Sequence, residues 1–397
     1  MAFDFDTLLD RRGTWAMKWD AAARFYGVDD VIPLWVADMD IPAPPVVVDA
    51  LRRRVEHPIY GYPMLPPSYW DPVVRWLEQR QNWPVRRDWL AACPGVVPAL
   101  NFCVQAFSQP GDTIVIQTPV YHPFYQAVEN NGRRLIRNPL RFEGGRWTMD
   151  LNDLGRRIDS RTRMLVLCSP HNPVGRVWTP GELEAVGRLA LDRGLLIIAD
   201  EIHADLVFDG RRHTPLASLD AALAARTITL QAPSKTFNVA GLTSAFAVIS
   251  DPGLRARFNA QVENAGLSIG NVFGQAALRA AYAEGGPWLD ELRAYLEGNF
   301  DFAGIFFGER LSPLRFLRPE GTYLALVDAR GLGLEPQALF MFFLKKARVY
   351  MDDGTKFGEA LSGFLRLNMA SPRPLLREAF GRLEAALRKL TLSEALC

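Results

Sequence analysis

Short apolar runs alternate with amphipathic stretches between about residues 91 and 230. The clearest strand candidates are residues 113–117, 164–168, 195–199 and 227–230. Residues 180–192 form one of the amphipathic stretches between them, and Thr179 followed by Pro180 is typical of a helix start. This alternation predicts an α/β fold, with a mostly parallel sheet and helices on its faces.

A different pattern begins at about Pro287. A long helix candidate comes first. It is followed by strand-like segments at residues 321–328 and 364–368 and by a terminal amphipathic helix at residues 375–390. These segments predict a smaller α+β domain. The Pro-rich stretch 41–45 is expected to end an extended N-terminal arm that packs with this domain, before a helix at residues 46–55. We therefore expect a large domain over residues 46–286 and a small domain made of residues 1–45 and 287–397.

The composition favours a small-molecule partner. The chain has 397 residues, 49% of them hydrophobic, and 45 Lys and Arg against 44 Asp and Glu, so its charge does not favour nucleic acid or a membrane surface. The four cysteines, which include Cys397, show no CxxC spacing, and the five histidines form no metal-ligand motif. With no secretory pattern at the start and no apolar run of 18 residues, we expect a cytoplasmic protein without a structural metal.

The most informative pair is Asp200, at the end of a strand candidate, and Lys235, which lies 35 residues later among small and polar residues. Pyridoxal phosphate needs a primary amine to bind its aldehyde and an acid to keep its ring nitrogen protonated. Ligands of parallel sheets collect at the carboxyl ends of strands, where Asp200 lies. Each residue also has an ordinary explanation, Asp200 as a helix cap and Lys235 as a solvated loop lysine.

Two further segments carry candidate ligands for such a cofactor. Gly95, Val96 and Val97 join a strand end to a helix start, where free N–H groups suit a phosphate, although this is also an ordinary strand-to-helix turn. Tyr121 follows another strand and could stack on a planar ring, although an aromatic residue there is more often part of the core.

Three polar residues complete the candidate site. Asn172 lies in the motif Ser-Pro-His-Asn-Pro, where its amide could point into a cleft or form a simple turn. His203 could face the cofactor three residues after Asp200, or play a structural part. Arg366, in an apolar strand context, suits a substrate carboxylate because its fork is planar, and an internal salt bridge is the alternative.

Across nearly its full length the chain resembles fold-type I pyridoxal phosphate enzymes of the class I/II aminotransferase superfamily, in particular the branch of cystathionine β-lyases and cysteine-S-conjugate β-lyases. The motifs that carry the resemblance are Asp10-Arg-Arg-Gly-Thr14, Lys18-Trp-Asp20, Leu34-Trp-Val-Ala-Asp-Met-Asp40, Gly61-Tyr62, Cys168-Ser-Pro-His-Asn-Pro173, Asp200-Glu-Ile-His203, Ser234-Lys-Thr-Phe-Asn238 and Phe364-Leu-Arg-Leu-Asn368.

The resemblance implies a seven-stranded, mostly parallel sheet in the large domain and a role for each candidate. Lys235 would bind the cofactor as a Schiff base, and Asp200 would pair with the ring nitrogen. Asn172, Tyr121, His203, Ser234 and the segment Gly95–Val96–Val97 would contact the cofactor, with Asn172 also reaching the substrate. Arg366 would bind the substrate carboxylate and Trp35 would line the pocket. Tyr62 would reach the active site of the neighbouring subunit in a homodimer.

Three departures from the common aminotransferase pattern favour the lyase branch or change the phosphate contacts. Ala232 replaces the usual Ser or Thr three residues before the lysine, Thr243 replaces an Arg eight residues after it, and His203 replaces a tyrosine. The sequence therefore predicts carbon–sulfur β-elimination from cystathionine or a related cysteine conjugate. Two alternatives stay open, transamination of an amino acid and a regulatory protein that binds the cofactor and acts through a partner surface.

Overall fold

Alternating strands and helices run through the middle of the chain in the computed structural model, which describes residues 2–394. The α-helices are α1 (Met17–Tyr26), α2 (Pro45–Glu56), α3 (Asp71–Gln81), α4 (Val96–Phe107), α5 (Pro123–Glu129), α6 (Leu151–Arg157), α7 (Pro180–Asp192), α8 (Ala221–Ala225), α9 (Pro233–Thr236), α10 (Pro252–Asn264), α11 (Val272–Glu284), α12 (Gly286–Arg310), α13 (Pro336–Phe342) and α14 (Arg373–Glu394).

The strands are β1 (Ile32–Pro33), β2 (Leu90–Cys93), β3 (Thr113–Thr118), β4 (Arg134–Pro139), β5 (Arg141–Glu143), β6 (Arg146–Thr148), β7 (Thr162–Cys168), β8 (Leu196–Asp200), β9 (Thr227–Gln231), β10 (Ala245–Val248), β11 (Arg315–Leu317), β12 (Leu324–Asp328), β13 (Val349–Tyr350), β14 (Asp352–Asp353) and β15 (Phe364–Asn368). A short π-helix at Phe343–Ala347 follows α13. Short 3-10 helices lie at Pro67–Trp70, Arg87–Trp89, Leu216–Ser218, Ala240–Leu242, Arg330–Leu332, Gly354–Phe357 and Glu359–Leu361.

The chain divides into two compact units. The larger unit comprises Ala43–Asn172 and Arg176–Asp290, and the smaller unit comprises the residues up to Pro42, the three residues Pro173–Gly175, and the chain from Glu291 onward. The boundaries expected from the sequence lay at residues 45/46 and 286/287, a few positions from these.

A seven-stranded sheet forms the centre of the larger unit, with the order β2-β10-β9-β8-β7-β3-β4. Only β10 runs antiparallel to its neighbours, so the predicted mostly parallel sheet is confirmed. The four strand candidates appear as β3, β7, β8 and β9, and α7 spans the predicted range, with Thr179 and Glu182 forming a capping box.

Burial explains why these strands read as continuous apolar runs. Every residue of β3, β8 and β9 is buried, as expected for strands that are covered on both faces. Apolar residues of α4, such as Ala99 and Val104, share one core cluster with Ile116 and Ile198 of the sheet. At about 25 cal/mol per Å² of buried apolar surface, this packing drives the formation of the larger unit.

The smaller unit contains a four-stranded antiparallel sheet, β11-β12-β15-β14, and a parallel pair of β1 with β13. Strand β12 begins at Leu324, three residues later than predicted, because Thr322 has a φ of +68°, outside the range of a strand. The N-terminal arm is not wholly extended as predicted, since it contains helix α1, built on good helix formers such as Ala21 and Ala22.

A buried ion cluster fixes the N-terminal segment within the smaller unit. The ammonium of Lys18, which is fully buried, lies 2.7 Å from Asp40, and Arg11 contacts Asp40 at 2.7 Å and Asp38 at 2.9 Å. Ser371 donates at 2.9 Å to Oδ2 of Asp40, the same oxygen that Lys18 contacts. Burial raises the pKa of Asp40, but Lys18 and the hydrogen bonds together hold it below its ordinary value.

Cys93, Cys103 and Cys168 are free thiols in the core, and burial raises their pKa values, to about 12 for Cys93. Cys397 lies outside the described residues. Within residues 2–394, none of the helices combines the length and the apolar composition that crossing a lipid bilayer would require.

Gly175 provides a test of the backbone geometry. It has a φ of +71°, and a Cβ atom there would lie 2.6 Å from Cβ of Pro319 and 2.9 Å from its Cα. We expect Gly175→Ala to lower the free energy of unfolding by roughly 2–3 kcal/mol, measured by urea denaturation of the cofactor-free protein. Gly181 in α7, which has open space around it, is the matched control, and Gly181→Ala should stabilise by up to about 1 kcal/mol. Equal effects of the two changes would contradict the backbone geometry at Gly175.

Candidate active site

Asp200 is the last residue of β8, which is the fourth of the seven strands, and its register partners are Cys168 and Leu230. Its carboxylate is buried and accepts a hydrogen bond from the backbone N–H of Ile202 at 3.1 Å. Burial raises the pKa of Asp200 to about 7, against the lowering effects of this hydrogen bond and of the Lys235 ammonium. A carboxylate in this position would be stabilised by a cationic partner.

Lys235 lies in the single-turn helix α9, directly after β9, and is half-buried beside the half-buried Ser234. Because its charge acts on the pKa of Asp200, the fold brings together the two residues that the sequence paired. The next residue, Thr236, donates its hydroxyl hydrogen to Asp205 at 2.9 Å, a contact that sequence reasoning missed.

Asn172 and Tyr121 lie on adjoining loops after β7 and β3. The backbone N–H of Tyr121 donates to the carbonyl of Asn172 at 3.1 Å, and the ring of His171 contacts the Pro119 carbonyl at 2.8 Å. Asn172 is buried and Tyr121 is half-buried. Burial lowers the pKa of His171 to about 4, so this ring is neutral near pH 7 and serves to join the loops.

His203 is buried in the tight turn that follows Asp200, where Ala204 N–H donates to the Glu201 carbonyl and Leu206 N–H donates to the His203 carbonyl, both at 2.9 Å. The turn thereby places Asp200, His203 and Asp205 within one short segment. Glu201 accepts hydrogen bonds from the Leu216 backbone at 3.0 Å and contacts the His213 ring at 2.9 Å, so it anchors the turn in the core.

Gly95 is the N-cap of α4, and Val96 and Val97 form the start of its first turn. Gly95 has no side chain that could cap the helix, and no acidic residue lies in the first turn, which leaves a positive helix end that suits a phosphate. Two of the three departures from the aminotransferase pattern concern expected phosphate contacts. Ala232 caps α9 without a side-chain hydrogen bond, and the Thr243 hydroxyl accepts from the Asn271 amide at 3.0 Å.

In the smaller unit, Arg366 lies buried on β15 and donates to the Trp35 carbonyl at 2.8 Å and to Asp352 at 2.6 Å. The internal salt bridge that the sequence left open is therefore present. The Trp35 ring stacks on Tyr350, with centroids 4.5 Å apart and planes within 4°, and its indole N–H donates to the Lys18 carbonyl at 3.0 Å. The sequence analysis missed Asp352. The signal that could have indicated it is the pair of consecutive aspartates, Asp352 and Asp353, close after the apolar residues of β13.

Tyr62 lies on an exposed segment of the larger unit, and 93% of its surface is accessible. Met64 is 87% exposed, and both side chains line an open cleft of about 490 Å³ together with Tyr69 and Val272. Exposed aromatic and apolar side chains in one segment are typical of a protein–protein interface.

The residues of the larger unit suit pyridoxal phosphate by their chemistry. A buried carboxylate with a raised pKa is within the electrostatic influence of an amine, an uncapped helix start can accept a phosphate, and the backbone of a half-buried tyrosine is hydrogen-bonded to the backbone of a buried asparagine. Among the described residues, no group of three or more His, Cys, Asp or Glu side chains could hold a metal ion.

Comparison with known proteins gives the same family and fold. The model of the family "Aminotransferase class I and II" matches residues 29–383. Cystathionine beta-lyase PatB of Bacillus subtilis is 41% identical, over 97% of this chain and 100% of the relative. Cystalysin from Treponema denticola, solved with pyridoxal 5'-phosphate, has a TM-score of 0.96 and 36% identity, over 98% of this chain and 100% of that chain. The pyridoxal phosphate-bound C-S lyase from Staphylococcus hominis has a TM-score of 0.90 and 30% identity, over 97% of this chain and 98% of that chain.

The raised pKa of Asp200 predicts a pH-dependent effect on the stability of the cofactor-free protein. The folded-state pKa of about 7 lies above the ordinary aspartate value of 3.8, so folding favours the protonated acid and stability falls as the pH rises from about 4 to 7. We expect Asp200→Asn, which mimics the protonated acid, to stabilise this form increasingly over that range. One pKa unit corresponds to about 1.4 kcal/mol, which limits the gain to roughly 4 kcal/mol.

Urea denaturation at pH 4, 6 and 8 measures this difference. Asp192→Asn, at the end of α7, is the control and should change the free energy of unfolding little at any of the three pH values. A gain from Asp200→Asn that is the same at pH 4 and pH 8 would contradict the assignment of the shift to burial of the ionised carboxylate.

Proposed function

Because this chain belongs to the family of class I and II aminotransferases, we propose that it is a pyridoxal 5'-phosphate-dependent carbon–sulfur β-lyase. It cleaves cystathionine or a related cysteine S-conjugate to a thiol, pyruvate and ammonia. The observation that carries this function is the 41% identity to a cystathionine β-lyase over the full length of that relative. The similarity to cystalysin and to a C-S lyase supports the same reaction.

When bound, pyridoxal phosphate supplies a ring that accepts electrons and so stabilises negative charge at the substrate α-carbon. The Lys235 amine would hold the aldehyde and, when free, would act as the general base that takes the substrate α-proton. Asp200 keeps the ring nitrogen protonated, and the low polarity around its carboxylate strengthens that ion pair. The thiolate would then leave the β-carbon, and addition of one water molecule to the remaining three-carbon product would give pyruvate and ammonia.

The remaining candidates of the larger unit have binding roles in this proposal. Asn172 would donate to the ring oxygen and to the substrate, and Tyr121 would stack on the ring. The N–H groups at Gly95, Val96 and Val97 hold the phosphate, because the start of α4 is uncapped. Ser234 and His203 contact the cofactor beside Lys235 and Asp200.

For the smaller unit we propose that Arg366 binds the substrate α-carboxylate and that Trp35 lines the pocket. The planar guanidinium suits a carboxylate, and Asp352 fixes its orientation through the contact at 2.6 Å. The Trp35 ring is held in one orientation, because it stacks on Tyr350 and its indole N–H donates a hydrogen bond to the Lys18 carbonyl.

We further propose a homodimer in which Tyr62 of each protomer completes the active site of its partner. The 93% exposure of Tyr62 and the exposed apolar residues around it support a contact with a second copy. The cytoplasmic location expected from the sequence stays a prediction.

Transamination is the closest alternative, because it shares every step up to removal of the α-proton. We expect L-cystathionine, incubated with the loaded enzyme and no keto acid, to give pyruvate and thiol over many turnovers. Lys235→Ala should lower this rate by about 10²–10⁴-fold, because it removes the general base. Lys345→Ala, which changes an exposed lysine, is the control and should leave the rate unchanged. A single half-reaction that yields neither pyruvate nor thiol would overturn the lyase assignment.

A shared active site makes a separate prediction. Lys235→Ala and Tyr62→Ala proteins should each be nearly inactive as homodimers, but a hybrid dimer regains one intact site. Unfolding and refolding an equal mixture should recover about a quarter of the wild-type pyruvate rate, because half of the dimers are hybrids with one site of two. If the refolded mixture is no more active than the two separate variants added together, Tyr62 does not act in the active site of the partner subunit.

A further inference from the structure

A buried polar cluster lies directly beside Lys235 in the larger unit. The hydroxyl of Thr236, the residue after Lys235, donates to Oδ2 of Asp205 at 2.9 Å. The other oxygen of Asp205 accepts from the indole of Trp76 at 3.0 Å and from the amide of Gln81 at 3.4 Å. Thr236 is 1% exposed and Asp205 is 9% exposed, so these contacts are shielded from water.

The same cluster holds the chain on the other side of Lys235. Gln231, the last residue of β9, exchanges amide hydrogen bonds with Gln81 at 2.8 and 3.1 Å. Its amide also lies 3.4 Å from Glu201, the neighbour of Asp200. The segment that carries Lys235 is thus tied, at residues 231 and 236, to the turn that carries Asp200.

Such a cluster is costly unless each member is satisfied, because a buried carboxylate or amide loses its hydration. Apolar side chains could fill the same volume without this cost. What a charged hydrogen bond adds is a short, directional contact with one preferred geometry. The bond between Asp205 and Thr236 therefore restricts the backbone that carries Lys235 more closely than apolar packing would.

We propose that Asp205 is a positioning residue, which holds the Thr236 hydroxyl and so fixes the Lys235 amine relative to the Asp200 carboxylate. The inference rests on the proposed function, because it concerns the lysine and the acid assigned to the cofactor. Asp205 itself touches neither cofactor nor substrate in this proposal.

The chain offers a matched set of variants for the test. Thr236→Val removes the hydroxyl and keeps the shape, while Thr236→Ser keeps the hydroxyl. Thr229→Val is the control, because Thr229 is fully buried on β9 and its hydroxyl has no hydrogen-bond partner within the described part of the chain. Asp205→Asn replaces the carboxylate by an uncharged amide. The indole of Trp76 can only donate, so the amide oxygen must face Trp76. The amide nitrogen then faces Thr236, whose hydroxyl loses its charged acceptor.

Two measurements separate positioning from general stability. Pyridoxal phosphate is added to each cofactor-free protein, and its affinity is followed by absorbance, with borohydride trapping and mass spectrometry to locate the linkage. The kcat and KM for L-cystathionine are then measured for the loaded enzymes. Urea denaturation of the cofactor-free proteins shows whether all variants are folded.

We expect Thr236→Val to weaken cofactor affinity by about 10-fold and to lower kcat by a similar factor, with KM changed by less than about 3-fold. Thr236→Ser and Thr229→Val should stay within about 2-fold of wild type. The double variant Asp205→Asn with Thr236→Val should be no weaker than Thr236→Val alone, because both changes abolish the same charged hydrogen bond between the Thr236 hydroxyl and the carboxylate.

The proposal is overturned if Thr236→Ser is as impaired as Thr236→Val, if Thr229→Val has an equal effect, or if the two changes multiply in the double variant. If Asp205→Asn does not fold, the three threonine variants decide alone. If borohydride traps the cofactor on Lys235 of the wild-type protein but no pyruvate forms, only the lyase function is overturned. The cofactor affinities of the variants would then still test the role of Asp205. Trapping at another residue would overturn the proposed function and this inference together.

Discussion

The burial of the Asp200 carboxylate at the end of the central strand is the constraint from which the candidate site follows. A strand covered on both faces must be apolar, yet β8 ends in an acid whose pKa burial raises to about 7. A cation beside the ionised acid lowers that cost. The Lys235 ammonium supplies part of this compensation, and the protonated ring nitrogen of the proposed cofactor would supply the rest.

The same constraint explains why polar residues accumulate behind the site. An ion pair between Asp200 and a ring nitrogen depends on distance, so the two segments that carry Asp200 and Lys235 must keep a fixed separation. Gln231 donates directly to Glu201, and Thr236 donates directly to Asp205. The amide of Gln81 adds a further link, because it donates to both Asp205 and Gln231. Apolar packing alone permits small shifts of a single-turn helix such as α9, whereas directional hydrogen bonds do not.

The sequence predicted what depends on local pattern and missed what depends on long-range pairing. Buried parallel strands and the capped helix α7 were recoverable because apolar runs and Thr179 before Pro180 mark them locally. The late start of β12 was not, because nothing in the sequence around Thr322 announces its positive φ. The partners of Arg366 and of Thr236, Asp352 and Asp205, lie 14 and 31 positions away, beyond the reach of any periodicity.

Thr243 shows how a departure from the family pattern is accommodated. It stands where many aminotransferases carry an arginine for the phosphate, and it is a β-branched residue with a φ of +42°, a conformation that costs on the order of 1–3 kcal/mol. Asn271 offsets that cost by donating to the Thr243 hydroxyl at 3.0 Å and to the Leu242 carbonyl at 2.9 Å. Because this side chain is uncharged and engaged with Asn271, it does not replace the arginine, and the charge of the proposed phosphate has to be met by other groups. The uncapped start of α4 at Gly95, with no acid in its first turn, is suited to that task.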